Sequence, residues 1–199
     1  MIRVGLTGSV GMGKSTTAQL FADAGIPVHD ADAVVHDLYR GEAAPIVEAA
    51  FPGATRNGVV DRQALGLQLA LDPIGFSRLE AIVHPLVRAR EQTFLKEQQL
   101  AGAEIVVLDI PLLFESSSAE RVDKIVVVSA DPQIQRQRVL ARPAMTEEKF
   151  NLILSRQLPD AEKRARADYM VDTGHGVEAA RRQVNEIIAD LRRIRDGER

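Results

Sequence analysis

The chain has 199 residues, enough for one domain with a small inserted subdomain, and its 45% hydrophobic and 27% charged residues suit a globular fold with a sizeable core. It contains no cysteine, which excludes a disulfide framework and any thiolate metal site, and its formal net charge of −3 argues against a broad nucleic-acid footprint. No apolar run reaches the ~18 residues of a membrane span, and no signal-peptide layout precedes the first strand, so a cytoplasmic protein without a membrane or nucleic-acid partner is expected.

Ile2 to Thr7 reads as a buried strand, and Thr16 to Ala24 reads as a helix. Between them, Gly8-Ser9-Val10-Gly11-Met12-Gly13-Lys14-Ser15 matches G-x-x-x-x-G-K-[ST], the phosphate-binding P-loop, in the strand–loop–helix context that the motif requires. Gly25 stops the helix, and Ile26 to His29 forms a short second strand that ends in Asp30-Ala31-Asp32. Helical segments are expected over 33–39 and 44–50, followed by turns at Pro52-Gly53 and Asn57-Gly58. A leucine-rich helix should end before Asp72-Pro73. Leu79, Ile82, Val83, Leu86 and Val87 repeat at helical spacing, with Pro85 predicting a kink or break near His84. The span 33–100 thus reads as nearly all helical and too long for a simple crossover.

Ile105 to Asp109 is an apolar strand closed by an acid, and Ile125 to Val128 is a second such strand. Asp131-Pro132 opens a helix as N-cap and first residue; Arg142-Pro143 breaks it, and Thr146 caps the next helix. Tyr169 to Val171 is a last strand. Val177, Ala180, Val184, Ile187, Ile188, Leu191 and Ile194 stripe a final helix. Strands alternating with helices behind a P-loop predict an α/β fold with a doubly wound parallel sheet, whose ligands sit beyond the carboxyl ends of the strands.

Candidate chemistry follows from these positions. The P-loop backbone amides, including those of Gly8, Gly11 and Gly13, would cradle phosphate oxygens at a helix N-terminus; Lys14 would reach the β/γ-phosphates, and the Ser15 hydroxyl would ligate Mg²⁺. Asp30 and Asp32 follow the second strand. Either could cap the next helix, Asp30 with more reason, and Asp32 could accept a hydrogen bond from an attacking hydroxyl. Asp109 stands where a Walker-B acid holds Mg²⁺, directly or through water. Gln135, Arg138 and Arg142 share one helix face, which could grip phosphates or simply be solvated. Between Asp131 and Ala167 eight Lys/Arg stand against five acids, and charge counting alone favours the solvated face. His84 taken by itself reads as a packed residue, and Phe76, Phe94 and Phe114 read as core. No Asn-Lys-x-Asp guanine signature and neither His-Arg-Asp nor Asp-Phe-Gly occurs, which excludes the usual GTPase and protein-kinase readings.

Taken together, the stretches resemble dephospho-CoA kinases over nearly the whole chain. The carriers are the P-loop with Thr16, Asp30-Ala31-Asp32, Asp61-Arg62 with Leu65, Leu79-Glu80-x-Ile82-x-His84-Pro85, Asp109-Ile110-Pro111-Leu112-Leu113-Phe114-Glu115, Gln135-x-x-Arg138-x-x-x-Arg142, and Gln157-x-Pro159 with Lys163 and Ala167-Asp168. The resemblance implies ATP- and Mg²⁺-dependent phosphorylation of the ribose 3′-hydroxyl of dephospho-CoA; a kinase of another nucleoside or nucleotide is the alternative. It implies a five-stranded core over 1–32 and 103–199, a helical CoA-binding insertion over about 33–102, a short lid over about 138–150, and a monomer. Lys14, Asp32 and Arg138 are the implied catalytic residues. Gly8, Gly11, Met12, Gly13, Lys14, Ser15, Thr16 and Arg142 are implied for ATP, Asp32, His84 and Arg138 for the acceptor, and Ser15 and Asp109 for the metal. The chain departs from the family pattern at Ser9, Met12, His29 and Thr173. Met12 is expected to place its side chain at the loop's rim and leave its N–H available, and Thr173 stands where many relatives have Asn.

Overall fold

The structure, a computed structural model, describes residues 1–116 and 118–197. By its internal contacts the chain divides into two compact units, one made of Met1–His29 and the chain from Gln98 onward, the other of Asp30–Glu97.

The first unit is built on a five-stranded sheet. Its strands are β1 (Ile2–Thr7), β2 (Val28–Asp30, whose last residue begins the second unit), β5 (Ile105–Asp109), β6 (Lys124–Ser129) and β7 (Tyr169–Asp172), in the order β2-β5-β1-β6-β7. The sheet is parallel, and its register sets Leu6 beside Asp109 and Ser129 beside Asp172. All five residues of β5 are buried, as a central strand covered on both faces requires. One face carries Val4, Leu6, Val107, Val126 and Val128 against Leu20 and Phe21 of α1 (Lys14–Asp23) and the stripe of α9 (Val177–Asp196). That stripe is buried from Ala180 to Leu191, whereas Val177 and Ile194 at its ends are exposed. On the other face Leu113 and Val122 come so close to Gly5 that a Cβ there would meet them at 3.1 Å. Three helices connect β6 to β7. In α6 (Pro132–Leu140) Asp131 caps the Gln133 N–H and Pro132 opens the helix. Thr146 caps α7 (Glu147–Ser155), and α8 (Asp160–Ala165) follows.

The second unit contains α2 (Ala31–Arg40), α3 (Ala44–Ala50), α4 (Arg62–Leu71) and most of α5 (Gly75–Leu100). They enclose a separate core of Leu38, Val47, Phe51, Val60, Leu65 and Leu69. The span expected to be nearly all helical also contains one unexpected element, since β3 (Thr55–Arg56) and β4 (Val59–Val60) pair as an antiparallel hairpin. Its two turn residues, Asn57 and Gly58, have φ of 52° and 76°, the left-handed pair that tight hairpins demand. Two-residue strands are too short to leave a period in the sequence. Of the kink or break expected near His84, the break does not occur, since α5 runs through Pro85 without interruption. Pro85 and Ala81 both lie on the exposed side, so water reaches the carbonyl that the ring leaves unpaired. Leu79, Ile82, Leu86 and Val87 hold the other side against the core.

Among the large aromatics, Phe21, Phe51 and Phe150 are the core residues. Phe76 is 53% exposed, because it lies in the first turn of α5, away from the buried stripe. Phe94 and Phe114 are half-buried, and Arg166 lies 5.7 Å from the Phe114 ring centre.

Candidate active site

The glycine-rich loop follows the carboxyl end of β1. Gly8 passes so close to β6 that a Cβ would sit 2.6 Å from the Val128 carbonyl oxygen. Gly11 has φ of 78°, and a Cβ there would strike Val139 of α6 at 2.4 Å. Both positions therefore require the residue without a side chain. Lys14 and Ser15 open α1, which puts the ammonium and the exposed hydroxyl at a helix N-terminus. The Lys14 Nζ lies 2.5 Å from Asp109 Oδ1. Asp109 is 2% exposed, and β5 delivers it there by register alone, opposite Leu6.

The loop's outer arc is tied down by side chains from later in the chain. Val10 donates its N–H to Gln157 Oε1 at 3.1 Å and accepts from Gln135 Nε2 at 2.8 Å. The Thr173 hydroxyl donates to the Met12 carbonyl at 2.8 Å. The Arg138 guanidinium donates to both Thr173 Oγ1 and Thr173 O, at 2.8 and 2.7 Å. Gln135 therefore faces the P-loop backbone, and Arg138 keeps three further N–H donors for a ligand.

Met12 departs from expectation on both counts. Its side chain is not at the rim but in the core, 1% exposed, where Sδ accepts from the Ala130 N–H at 3.2 Å. A long, unbranched thioether reaches the space between β6 and the loop and fills it. Its own N–H donates to Ser9 O at 3.1 Å within the loop.

A cleft of about 260 Å³ brings together Gly11, Gly13 and Thr16 with Arg138, Arg142, Thr173, Gly176, Val177 and Ala180. P-loop, basic helix face and the start of α9 thus share one concavity, and Val177 and Ala180 add an apolar wall. In the same unit, Lys163 is fully buried and pairs with Glu115 at 3.0 Å, while Glu115 also accepts the Leu158 N–H at 2.8 Å. Desolvation works to raise the Glu115 carboxyl, but the Leu158 N–H and the Lys163 ammonium outweigh it, and the value lies below the usual carboxylate range.

The second unit has its own cavity of about 480 Å³, lined by Asp32, Val35, Tyr39, Arg62, Leu65, Gly66, Leu69 and Leu79. Asp30 is the cap of α2, accepting from the N–H groups of Asp32 and Ala33 at 2.9 and 3.0 Å. The Asp32 carboxylate has no part in that cap, and its residue is exposed. The Arg62 guanidinium lies 5.4 Å from the Tyr39 ring centre. Burial raises the Tyr39 phenol, with Arg62 opposing. His84 is exposed on α5 and is not among the residues lining this cavity. Sequence reasoning did not single out Tyr39 as a site residue, and it took Arg62 only as part of a motif. A tyrosine and an arginine spaced 23 apart carry no local signal.

The dephospho-CoA kinase family model matches residues 2–178. Over 199 residues the chain is 69% identical to a dephospho-CoA kinase of Rhizobium etli, covering 100% of this chain and 98% of the relative. The chain belongs to the dephospho-CoA kinase family. A crystal structure from Thermus thermophilus is 34% identical and superposes with a TM-score of 0.82 over 96% of this chain and 97% of its own. A dephospho-CoA kinase structure from Campylobacter jejuni shares the fold at a TM-score of 0.72 and 22% identity, over 99% and 98% of the two chains. Dephospho-CoA kinases catalyse the final step of coenzyme A biosynthesis, a phosphoryl transfer from a nucleotide to dephospho-CoA, and this is the activity of the chain. No helix among the described residues is long and apolar enough to cross a membrane.

Proposed function

We propose that the two cavities divide the reaction, with ATP bound by the P-loop unit and dephospho-CoA by the helical unit. On this reading the loop amides other than those of Val10 and Met12, which are spent within the protein, hold the β- and γ-phosphates, and Lys14 compensates their charge. Arg142 and the free donors of Arg138 neutralise the transferring group. Arg138 meets the acceptor as well. Val177 and Ala180 border the base.

The donor set suits Mg²⁺. Among the described residues no three His, Cys, Asp or Glu side chains converge as a metal cage. A magnesium ion bound through phosphates needs only one or two protein oxygens, which Ser15 and Asp109 would supply. When bound, the ion would neutralise charge on the transferring phosphoryl group.

Asp32 accepts a hydrogen bond from the ribose 3′-hydroxyl, orients it toward the γ-phosphorus and takes its proton as the 3′-oxygen bonds to that phosphorus and the bond to the β,γ-bridging oxygen breaks, releasing ADP. The observation that carries this role is that Asp30 has taken over the cap, while Asp32 lines the cavity of the helical unit with its carboxylate outside that cap. Arg62 suits the acceptor's 5′-diphosphate, and the leucines suit its pantetheine arm. His84 is assigned to the acceptor on its motif alone. The lid is the segment about 138–150, the acceptor-binding insertion about 33–102, and the enzyme works as a cytoplasmic monomer.

The test is Asp32→Asn. Turnover should fall by about 10² or more, with the Kd for ATP nearly unchanged. Wild-type turnover in that variant would remove Asp32 from the chemistry.

A further inference from the structure

We infer that Gln135 and Thr173 are positioning residues that aim the P-loop amides of Gly11 and Gly13 at the phosphates. The inference rests on the reading that Gly8–Ser15 holds the ATP phosphates.

In a planar trans peptide the C=O of one residue and the N–H of the next point in opposite directions. Fixing a carbonyl therefore fixes the following amide. Gln135 Nε2 holds the Val10 carbonyl at 2.8 Å from the α6 side. The N–H of Gly11 must then point away from α6, into the loop. The Thr173 hydroxyl holds the Met12 carbonyl at 2.8 Å, and by the same geometry the N–H of Gly13 points into the loop. Between these two planes the Met12 N–H is spent on Ser9 O, so it closes the loop internally. Gln157 fixes the remaining plane by accepting the Val10 N–H at 3.1 Å.

The tethers are themselves specified. A hydroxyl can donate once. Because the Arg138 guanidinium has no acceptor and donates to Thr173 Oγ1, the single hydroxyl proton goes to a carbonyl, and Met12 O at 2.8 Å is much nearer than Ser129 O at 3.4 Å. Gln135 is 6% exposed and Thr173 7% exposed, so neither tether competes freely with water. Glycine at 11 and 13 makes the loop easy to bend but also easy to mis-set, since either peptide could rotate at little steric cost. The collar supplies the order that the glycines lack. It comes from α6 and from the end of β7, so part of the phosphate site lies more than a hundred residues beyond the motif.

The experiment measures Kd for MgATP, inorganic tripolyphosphate and dephospho-CoA, with thermal midpoints, in Gln135→Met, Thr173→Val and Lys14→Ala. In the first two, the Kd values for MgATP and tripolyphosphate should each rise about tenfold, while dephospho-CoA binding and the thermal midpoint stay near wild type. Unchanged phosphate binding in both variants, with binding lost in Lys14→Ala, would overturn the collar and leave the P-loop reading standing. Unchanged binding in all three would overturn both. A parallel loss of dephospho-CoA affinity or of thermal stability in both collar variants would make their effect general damage and also overturn the proposal.

Discussion

In the unit that carries Gly8–Ser15, side chains from three later segments fix the backbone of the loop's outer arc, and the lysine sits against a carboxylate that is itself almost fully buried. The cavity of Asp30–Glu97 is made differently. Leucines form its wall, and its polar groups, Asp32, Tyr39 and Arg62, are side chains. The difference follows from what each would hold. A triphosphate presents the same oxygens in every ATP-using enzyme, and fixed amides suit it. A long acceptor with a ribose, a diphosphate and an apolar arm needs side chains chosen one by one. On the proposed assignment, phosphate binding would be a property of backbone geometry, and acceptor choice a property of helix surfaces.

That contrast can be broken at several points. Glu115→Gln strikes the core unit hardest, because it leaves the Lys163 ammonium buried without its anion. Chemical denaturation should show a loss of about 3 kcal/mol, the low end for a broken buried pair since the carboxylate is partly exposed. The pH dependence has a definite sign. The native Glu115 value is depressed, so its contribution is present above the unfolded carboxyl value and fades as pH falls through the native one. The wild type should therefore lose its advantage over Glu115→Gln in acid. Asp30→Ala removes the cap of α2 and should cost about 1 kcal/mol, reaching about 2 at most. Turnover should fall much less than in Asp32→Asn; an equal fall would mean that the chemistry needs the cap and not the second carboxylate. Met12→Leu keeps the volume and deletes the sulfur acceptor for Ala130. Its cost should stay under about 1.5 kcal/mol with ATP binding retained, and a larger loss would give the sulfur contact a greater share in the loop's order.

The donor side was largely legible in the sequence because its signals are local. Gly8 to Ser15 is contiguous, Asp109 closes an apolar run, and Asp131-Pro132 and Thr146 announce their helices. The collar was not legible. Gln135 and Arg138 look like one phosphate-gripping face, and only the tertiary fold shows that Gln135 turns to Val10 and that Arg138 braces Thr173. Met12 was misplaced for a similar reason, since an apolar residue inside a polar motif gives no hint of the core space beneath it. The helical unit was the least legible. Tyr39 and Arg62 meet only through the packing of α2 on α4, and a hairpin of two-residue strands has no periodicity to read. The five-stranded order could be anticipated as a class, but the unbroken run of α5 through Pro85 depended on which face of the helix was wet.

The division of labour between the two cavities is tested most directly by the Michaelis constants for ATP and dephospho-CoA in Arg142→Ala and Arg62→Ala. Arg142→Ala should raise the constant for ATP about tenfold and leave that for dephospho-CoA near wild type, and Arg62→Ala should do the reverse. If each variant instead shifted both constants alike, or if Arg62→Ala left the constant for dephospho-CoA unchanged, the assignment of donor and acceptor to separate cavities would be contradicted.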